Sequence, residues 1–423
     1  MKHMKNNHPL FHTLRMVKGN QRACLVTEPL WSIPYNLFLP FISVYMAAIG
    51  LKDAQIGMVA SFGLVMQFLW SLLSGAIVDK YGRRKAMFVF GLLSWSIPCL
   101  IWTVSHGYWY FIIAILFNSM WRVTGNSFNC LIVEDGDNNQ LINLYTLFNM
   151  IGLLVGFISP VMGLLIDRFT LVPTIRVLYL ASMVMVTVKF LLQYRLLHES
   201  DTGMRRIEEC SNKSLWKLTF RGWNTFIQAF RHTKLIWYVT VVILMSCVTI
   251  VQATFWPLFI TSAYSVSASM ISVFPMVKAV TSIIIYLMVT SRITLSSIKN
   301  PMLTGFAVSL LGLMVLLVFQ PFGATAIVVV FFSAVCDAFA AAILNPLFDS
   351  LLSVSIPANE RARVNSLITS MILLISIPIG AIAGMLSEHN RMFPLMLNCF
   401  LIIVATLLVL FLMKTAKTKE SNN

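Results

Sequence analysis

Twelve long apolar runs constrain this chain more than any other feature, because each is about as long as a membrane is thick. A bilayer core takes roughly 20 mainly apolar residues in a helix, and backbone groups inside it must be hydrogen-bonded within the segment. We therefore predict an all-α membrane protein with 12 transmembrane helices in two six-helix halves. The predicted spans, numbered 1 to 12 in chain order, are 25–49, 54–78, 85–104, 107–132, 142–166, 174–196, 235–262, 267–290, 301–320, 323–352, 362–387 and 392–413.

The charge of the chain agrees with this membrane prediction. Only 11% of the residues are charged, against about 25% in soluble globular domains, yet the formal net charge is +15. The basic residues lie in short segments between the apolar runs. They form no basic stripe interleaved with exposed aromatic residues, as nucleic-acid-binding proteins have. We therefore expect the lipid bilayer as a partner and do not expect nucleic acid.

Residue types that carry metal or catalytic chemistry are scattered along the chain. The seven cysteines form no C-x-x-C pair, which disfavours a disulfide framework and a zinc site. The seven histidines are equally dispersed. No Ser/His/Asp set, metal cluster or phosphate-cradling loop can be assembled from these positions. We expect neither an enzyme nor a bound cofactor or metal.

The distribution of lysine and arginine predicts the orientation in the membrane. Of the 31 such residues, 24 lie on the side of both termini, four lie on the opposite side and three lie within spans. Basic loops are retained in the cytoplasm. Both termini are therefore predicted to be cytoplasmic, in a multi-pass protein of the cell (plasma) membrane.

One long polar connection divides the spans into two sets of six. The predicted segments are a cytoplasmic tail 1–24, a first half 25–196, a cytoplasmic linker 197–234, a second half 235–413 and a cytoplasmic tail 414–423. Within the linker, 214–230 has apolar residues at helical spacing with basic residues between them. We interpret it as an amphipathic helix, which lies either on the inner membrane surface or against the side of 80–85.

A charged turn between spans 2 and 3 has the form G-x-x-x-D-x-x-G-R-[RK]. Its residues are Gly75, Asp79, Gly82, Arg83 and Arg84. Gly75 would let another helix approach closely, and Gly82 would permit a turn that a side chain obstructs. The turn resembles the signature loop between helices 2 and 3 of the major facilitator superfamily of secondary transporters. The resemblance implies two rocking halves, with spans 1, 4, 7 and 10 lining a cavity and spans 3, 6, 9 and 12 facing lipid.

The same resemblance implies a gating contact at this turn. Glu134 and Asp135 form part of an acidic cluster at the predicted cytoplasmic end of span 4. Similar family members pair the arginine of the loop with an acid there. We therefore expect Arg83 to pair with Glu134 or Asp135, and we expect the start of span 11, at 360–363, to offer its helix dipole to Asp79.

Ionisable residues inside spans are costly and are functional candidates by default. Those selected as candidates are Arg122 in span 4, Asp337 in span 10, Glu28 in span 1 and Lys278 in span 8. The other candidates for substrate binding or proton coupling share a helix face with these residues or lie in span 7: Asn118, Asn126, Asn345, Asp349, Gln252 and Trp256. The alternatives are structural: an ion pair, a snorkelling lysine, or an outer aromatic belt for Trp256.

Spacing links two of these charges. Arg122 and Asp337 lie 215 residues apart, as do Glu134 and Asp349, and transporters of this type are built from repeated halves. Arg122-Val-Thr-Gly125 also resembles the superfamily's second motif, whose arginine is linked to proton transfer or substrate binding. We predict that Arg122 and Asp337 face each other across a cavity and stabilise each other's charge. Protonation of Asp337 or Glu28 would then shift the balance of inward and outward states.

Small residues in span 5 bear on the direction of transport. Gly152, Gly156, Pro160 and Gly163 resemble the superfamily's helix-5 motif G-x-x-x-G-P-x-x-G-G, typical of proton-coupled exporters. Here the proline follows Gly156 by four residues, and a packing face is the alternative. The resemblance implies proton-coupled efflux of a small organic solute by an antiporter. The alternatives are uptake of a sugar or other small metabolite, a lipid flippase, or a transporter-like sensor, and a monomer is compatible with each.

Overall fold

A computed structural model describes residues 16–134, 141–220, 233–288, 299–319, 324–354 and 361–420, and these residues are helical without a strand. The continuous helices are Asp53–Tyr81 (span 2), Leu171–Leu196 (span 6), Thr233–Ala263 (span 7), Lys299–Val318 (span 9), Ala324–Val354 (span 10), Arg361–His389 (span 11) and Phe393–Glu420 (span 12). Eleven described helices are long and apolar enough to cross a membrane. The all-α membrane fold class is thus confirmed.

Span 4 is the predicted span that this count leaves out, and it is divided. Its helices are Tyr108–Asn118 and Trp121–Glu134. At the division, the Ser119 hydroxyl donates a hydrogen bond of 2.7 Å to the Ile115 carbonyl, a bond that competes with the helical pattern and bends helices. The two pieces together cover the predicted range 107–132.

Prolines and one wide turn divide the other interrupted spans. Span 1 comprises Gly19–Thr27, Pro29–Phe38, a 3₁₀ turn at Leu39–Phe41 and Ile42–Ala48, and span 5 comprises Leu141–Gly156 and Pro160–Phe169. Span 3 comprises Arg83–Gly91, a π-helical turn at Leu92–Ser96 and Ile97–Thr103. Span 8 comprises Ala268–Ile271 and Phe274–Met288. Breaks at proline follow from its missing N–H and its clash with the preceding turn.

The first compact unit contains 1–39, 66–155 and 173–222. Its core includes Ile77, Val78, Ala86 and Val123, which join spans 2, 3 and 4. Leu215, in the linker helix Leu215–Phe220, packs on this cluster. In the described part of the linker, this contact favours the alternative in which the linker helix packs beside 80–85.

The second compact unit contains 40–65, 156–172 and 223–423. It therefore groups the ends of spans 1, 2 and 5 with spans 7 to 12, and it does not coincide with either predicted half. Glycines allow this close packing, since a Cβ on Gly57 would lie 2.8 Å from the Gly384 Cα atom. The predicted domain boundaries remain a prediction.

Candidate transport site and gating contacts

The carboxylate of Asp337 and the ammonium of Lys278 form an ion pair inside the second unit. Asp337 Oδ2 lies 2.6 Å from Lys278 Nζ, and the two side chains are 30% and 44% exposed. The pair joins span 10 to span 8: Asp337 lies near the middle of Ala324–Val354, and Lys278 lies in the second turn of Phe274–Met288. The structure therefore shows Lys278 in an ion pair between two spans of the second predicted half.

Trp256 lies beside this pair. Its side chain is 6% exposed, its ring packs edge-on against Phe274 at 4.9 Å, and Lys278 Nζ lies 5.9 Å from the ring centroid. The expectation of an outer aromatic belt is wrong for this residue, because the ring packs inside the unit and faces neither lipid nor water. The indole N–H has no hydrogen-bond partner among the described residues.

A polar cluster continues the site on spans 7 and 12. The amide nitrogen of Asn398 donates to the Val248 carbonyl at 3.3 Å and to Gln252 Oε1 at 3.2 Å. Asn398 is fully buried, and its Oδ1 has no partner in the described part of the chain. A cavity of about 10 Å³ lies next to this cluster, large enough for one water molecule. Its lining residues are Val248, Gln252, Ser309, Leu313, Ser333 and Asp337.

The other two candidates on span 10 have no described contact at this site. Asn345 is exposed. Asp349 lies on the same helix, but its side chain lies outside the described residues. Of the three span-10 residues predicted to share one helix face, Asp337 is therefore the one with a described contact at the site.

Arg122 of span 4 binds the side chain of Gln67 in span 2. Its Nε and Nη2 donate to Gln67 Oε1 at 3.2 and 2.9 Å, and its guanidinium carbon lies 4.2 Å from the centroid of the Trp121 ring. Arg122 and Asp337 thus each have another close partner in the structure. Spacing along the chain placed them on equivalent helices but could not show that Gln67 and Lys278 are their close partners.

The two asparagines that share the predicted face of Arg122 bind neighbouring helices. Asn118 donates to the Ser94 carbonyl of span 3 at 2.9 Å, within the π-helical turn, where backbone acceptors lack their regular partner. Asn126 donates to Ser74 Oγ of span 2 at 3.4 Å. Both asparagines therefore act as contacts between helices in the described structure.

Glu28 forms a buried ion pair that the sequence analysis did not predict. Glu28 Oε2 lies 2.9 Å from Lys189 Nζ of span 6, and the two residues are 8% and 5% exposed. Gln193, one turn further along span 6, donates to Thr27 Oγ1 at 2.8 Å. This face of span 6 packs against span 1, so the prediction that span 6 faces lipid is wrong for Lys189 and Gln193. The two polar residues Lys189 and Gln193, four positions apart in an otherwise apolar span, were the sequence signal for this contact.

The charged turn contains the predicted contact of Arg83. Its guanidinium donates to both carboxylate oxygens of Glu134, at 3.0 and 3.2 Å, and lies 3.3 Å from Asp79. Glu134 also accepts a hydrogen bond from Ser200 of the linker. The Arg83–Glu134 pair is confirmed, whereas Asp135 and residue 360 lie outside the described residues, as do the side chains of 361–363.

The two glycines of the turn behave differently. Gly82 has φ +86°, a conformation that favours glycine. Glu199 of the linker fills the adjacent space and accepts the backbone N–H groups of Arg83 and Arg84 at 2.9 and 3.0 Å. Gly75 is exposed, and a Cβ there would meet nothing within 4 Å. The predicted close approach of another helix at Gly75 is therefore wrong in the described structure.

The span-5 glycines pack on span 8 within the second unit. A Cβ at Gly156 would lie 2.8 Å from the Pro275 carbonyl oxygen, and one at Gly163 would lie 2.7 Å from that of Ser269. Pro160 begins the second helix of span 5. Gly152 is looser, with its nearest neighbour Ser32 Oγ at 3.9 Å. Of the four motif residues, Pro160 thus lies at the break in span 5, and Gly156 and Gly163 lie at a tight contact with span 8.

A further ionic contact lies at the ends of the spans opposite the termini, which we call the far end. Asp53, at the start of span 2, accepts from Arg391 Nε and Nη2 at 2.8 and 2.9 Å and from the Ser387 hydroxyl at 2.7 Å. The Asp53 side chain is 7% exposed. Sequence analysis missed this contact, since both charged residues lie at predicted span ends, where water accounts for them equally well.

The sequence matches a family model described as Major Facilitator Superfamily over residues 32–381. Two curated relatives align over short stretches. A probable 3-phenylpropionic acid transporter of Escherichia coli (strain K12) is 38% identical over 85 residues, which is 20% of this chain and 22% of the relative. A major facilitator superfamily domain-containing protein 6-like of Danio rerio is 31% identical over 84 residues, or 20% and 16% of the two chains. The matched stretches thus span about a fifth of these relatives.

Solved structures are similar over nearly the whole chain. The nucleoside transporter NupG aligns over 95% of this chain and 100% of its own, with TM-score 0.70 and 14% identity. The xylose transporter XylE from E. coli, in an inward-open conformation, aligns over 92% and 94%, with TM-score 0.65 and 13% identity. At these identities the likeness concerns the fold.

Proposed function

Since this chain belongs to the Major Facilitator Superfamily, we propose that it is a secondary active transporter that moves a small organic solute across a membrane by alternating access, coupled to protons. The family and its fold are those of transporters. The two predicted halves would rock about a site near the middle of the membrane, as in proteins built from such repeats. The relative named a probable 3-phenylpropionic acid transporter supports a small organic molecule as cargo.

The Asp337–Lys278 pair is the observation that carries proton coupling in this proposal. A lone charge within a membrane is costly, and an ion pair reduces that cost. Protonation of Asp337 would remove the negative partner of Lys278, at 2.6 Å in the structure, and would leave the ammonium to find another. Because the pair joins spans 8 and 10, its loss changes how these two helices hold together, which is how a proton would bias one conformation over another.

Efflux is the direction we propose, with protons entering as solute leaves. The support is the tight contact of Gly156 and Gly163 with span 8, at the motif that resembles that of exporters. Both termini are proposed to be cytoplasmic and the membrane to be the plasma membrane, from the bias of lysine and arginine toward the loops on the side of the termini.

Solute flux in proteoliposomes tests the proposal, using a panel of labelled organic solutes with and without a pH gradient. The Asp337→Asn variant should lose the stimulation by the gradient while it retains exchange of labelled for unlabelled solute, because exchange needs no net proton transfer. Asp167→Asn is the matched control, since Asp167 is exposed on span 5. Flux that is equal with and without the gradient in the unmodified protein would contradict proton coupling.

A further inference from the structure

The guanidinium of Arg122 lies within a membrane span without a carboxylate partner among the described residues. The two other cations within the spans each have one: Lys189 lies 2.9 Å from Glu28, and Lys278 lies 2.6 Å from Asp337. Arg122 instead donates twice to the neutral amide oxygen of Gln67. Arginine stays protonated in proteins, so this positive charge has no ionic partner among the described residues.

The contacts of Arg122 hold its guanidinium in a fixed orientation. Gln67 accepts from Nε and Nη2, at 3.2 and 2.9 Å, and the Trp121 ring covers one face at 4.2 Å. Nη1 donates to no described residue. An arginine fork presents further donors in the plane of the group, and such donors match the two oxygens of a carboxylate. The side chain is therefore preorganised for an anion, and the described residues supply none.

We propose that the cargo is a small organic anion whose carboxylate binds Arg122, with Gln67 as the positioning residue that orients the guanidinium. This inference rests on the proposed transport function and narrows its solute to carboxylates. A bound carboxylate would neutralise the Arg122 guanidinium, and thus lower the cost of holding that charge inside the membrane. A neutral solute of the same shape would leave the charge as it is.

The sharpest test is Gln67→Glu, which replaces the amide by a carboxylate of nearly the same size. The new carboxylate would pair with Arg122 and occupy it, so the variant removes an unpaired charge and has no cause to misfold. Carboxylate binding should weaken by about tenfold to a hundredfold, the range for a lost hydrogen-bonded ionic contact. Gln55→Glu is the matched control on the same helix, where the side chain contacts the Lys52 backbone and not Arg122.

Binding is measured by calorimetry on the full-length protein in detergent, with acetate, benzoate and phenylacetate, each against its amide. The inference expects that at least one carboxylate binds tighter than its amide, and that Gln67→Glu and Arg122→Gln, but not Gln55→Glu, remove the difference. Arg122→Lys should retain part of it, because the charge remains while the fork is lost. Equal binding of acids and amides, or a preference that survives in Gln67→Glu, would overturn the inference.

Counterflow of the same solutes in proteoliposomes separates this inference from the proposed function. Transport of the amides at the rate of the acids would leave a transporter without anion selectivity, so the inference alone would fail. Carboxylate binding that depends on Arg122, in a protein that moves no solute in either direction, would uphold anion recognition and refute transport.

Discussion

At the scale of single residues, the buried charges are held by partners on other helices. Glu28 and Lys189 show this most clearly, because both are at least 92% buried by residue area and lie 2.9 Å apart. A buried pair is weak evidence for stability in itself, but removal of one partner leaves the other charge exposed to a low dielectric. The stability of each buried charge therefore depends on the presence of its partner.

We expect Lys189→Met to destabilise the protein by about 3–5 kcal/mol, since it leaves Glu28 buried without its counter-ion. The double variant Glu28→Gln with Lys189→Met should recover most of this loss, because no isolated charge remains. The measurement is an SDS unfolding titration of the purified protein in mixed micelles. Single and double variants that are equally unstable would show that packing, and not charge, dominates at this position.

The sequence identified the charges inside the spans but not their partners. Helical periodicity shows which residues share a face, and this sufficed to select Arg122 and Asp337 as candidates. It does not show which other helix covers that face, so it could not identify Gln67 as the partner of Arg122 or Lys189 as the partner of Glu28. Arg83 and Glu134 were paired correctly because a motif resemblance supplied the missing tertiary information.

At the scale of helices, glycines on a single span have opposite roles. Span 2 carries both Gly57, pressed against the Gly384 backbone, and Gly75, which faces open space. The apolar runs predicted the spans well, because a membrane-length helix is dictated by local composition. The division of span 4 at Ser119 was not predicted, because a single hydrogen bond from a side-chain hydroxyl to a backbone carbonyl does not change the hydropathy of a segment.

We expect Gly57→Ala to destabilise the protein by about 1–3 kcal/mol, the usual effect of overpacking, because the new methyl group would press on backbone atoms of span 11 that cannot rotate away. Gly75→Ala is the matched control and should be neutral or stabilising by up to about 1 kcal/mol, as for glycine replaced within a helix. SDS titration of both variants checks the difference. Similar losses in the two would contradict the packing shown for Gly57.

At the scale of the whole molecule, contacts at the far end join segments of both predicted halves within the second unit. Asp53 of span 2 binds Arg391 in the turn between spans 11 and 12, and Ser61 accepts the Ala381 backbone N–H at 2.8 Å. The long linker predicted two halves, but a loop length carries no information on which helix ends pack together. The compact units therefore cut across the predicted division.

We expect Asp53→Asn to loosen the far end, because it weakens two charge-assisted hydrogen bonds from Arg391. A cysteine at Ala54, which is 8% exposed, reports this through a membrane-impermeant maleimide, in a background without the native cysteines. Labelling should be faster with Asp53→Asn than without it. Lys52→Gln is the control, because this exposed neighbour makes no side-chain contact with Arg391 in the described residues. Unchanged labelling would mean that the glycine packing alone holds this end.

The Asp53–Arg391 contact also has a consequence for biosynthesis. The two residues lie 338 positions apart, and a chain is made and inserted from its N-terminus. Span 2 is therefore inserted long before the ribosome adds Arg391. Until span 11 and the turn after it are made, the Asp53 carboxylate is hydrated by water and has no Arg391 to bind. A nascent protein truncated before span 11 would carry this carboxylate uncovered, which is a feature that quality-control proteases could distinguish from the finished fold.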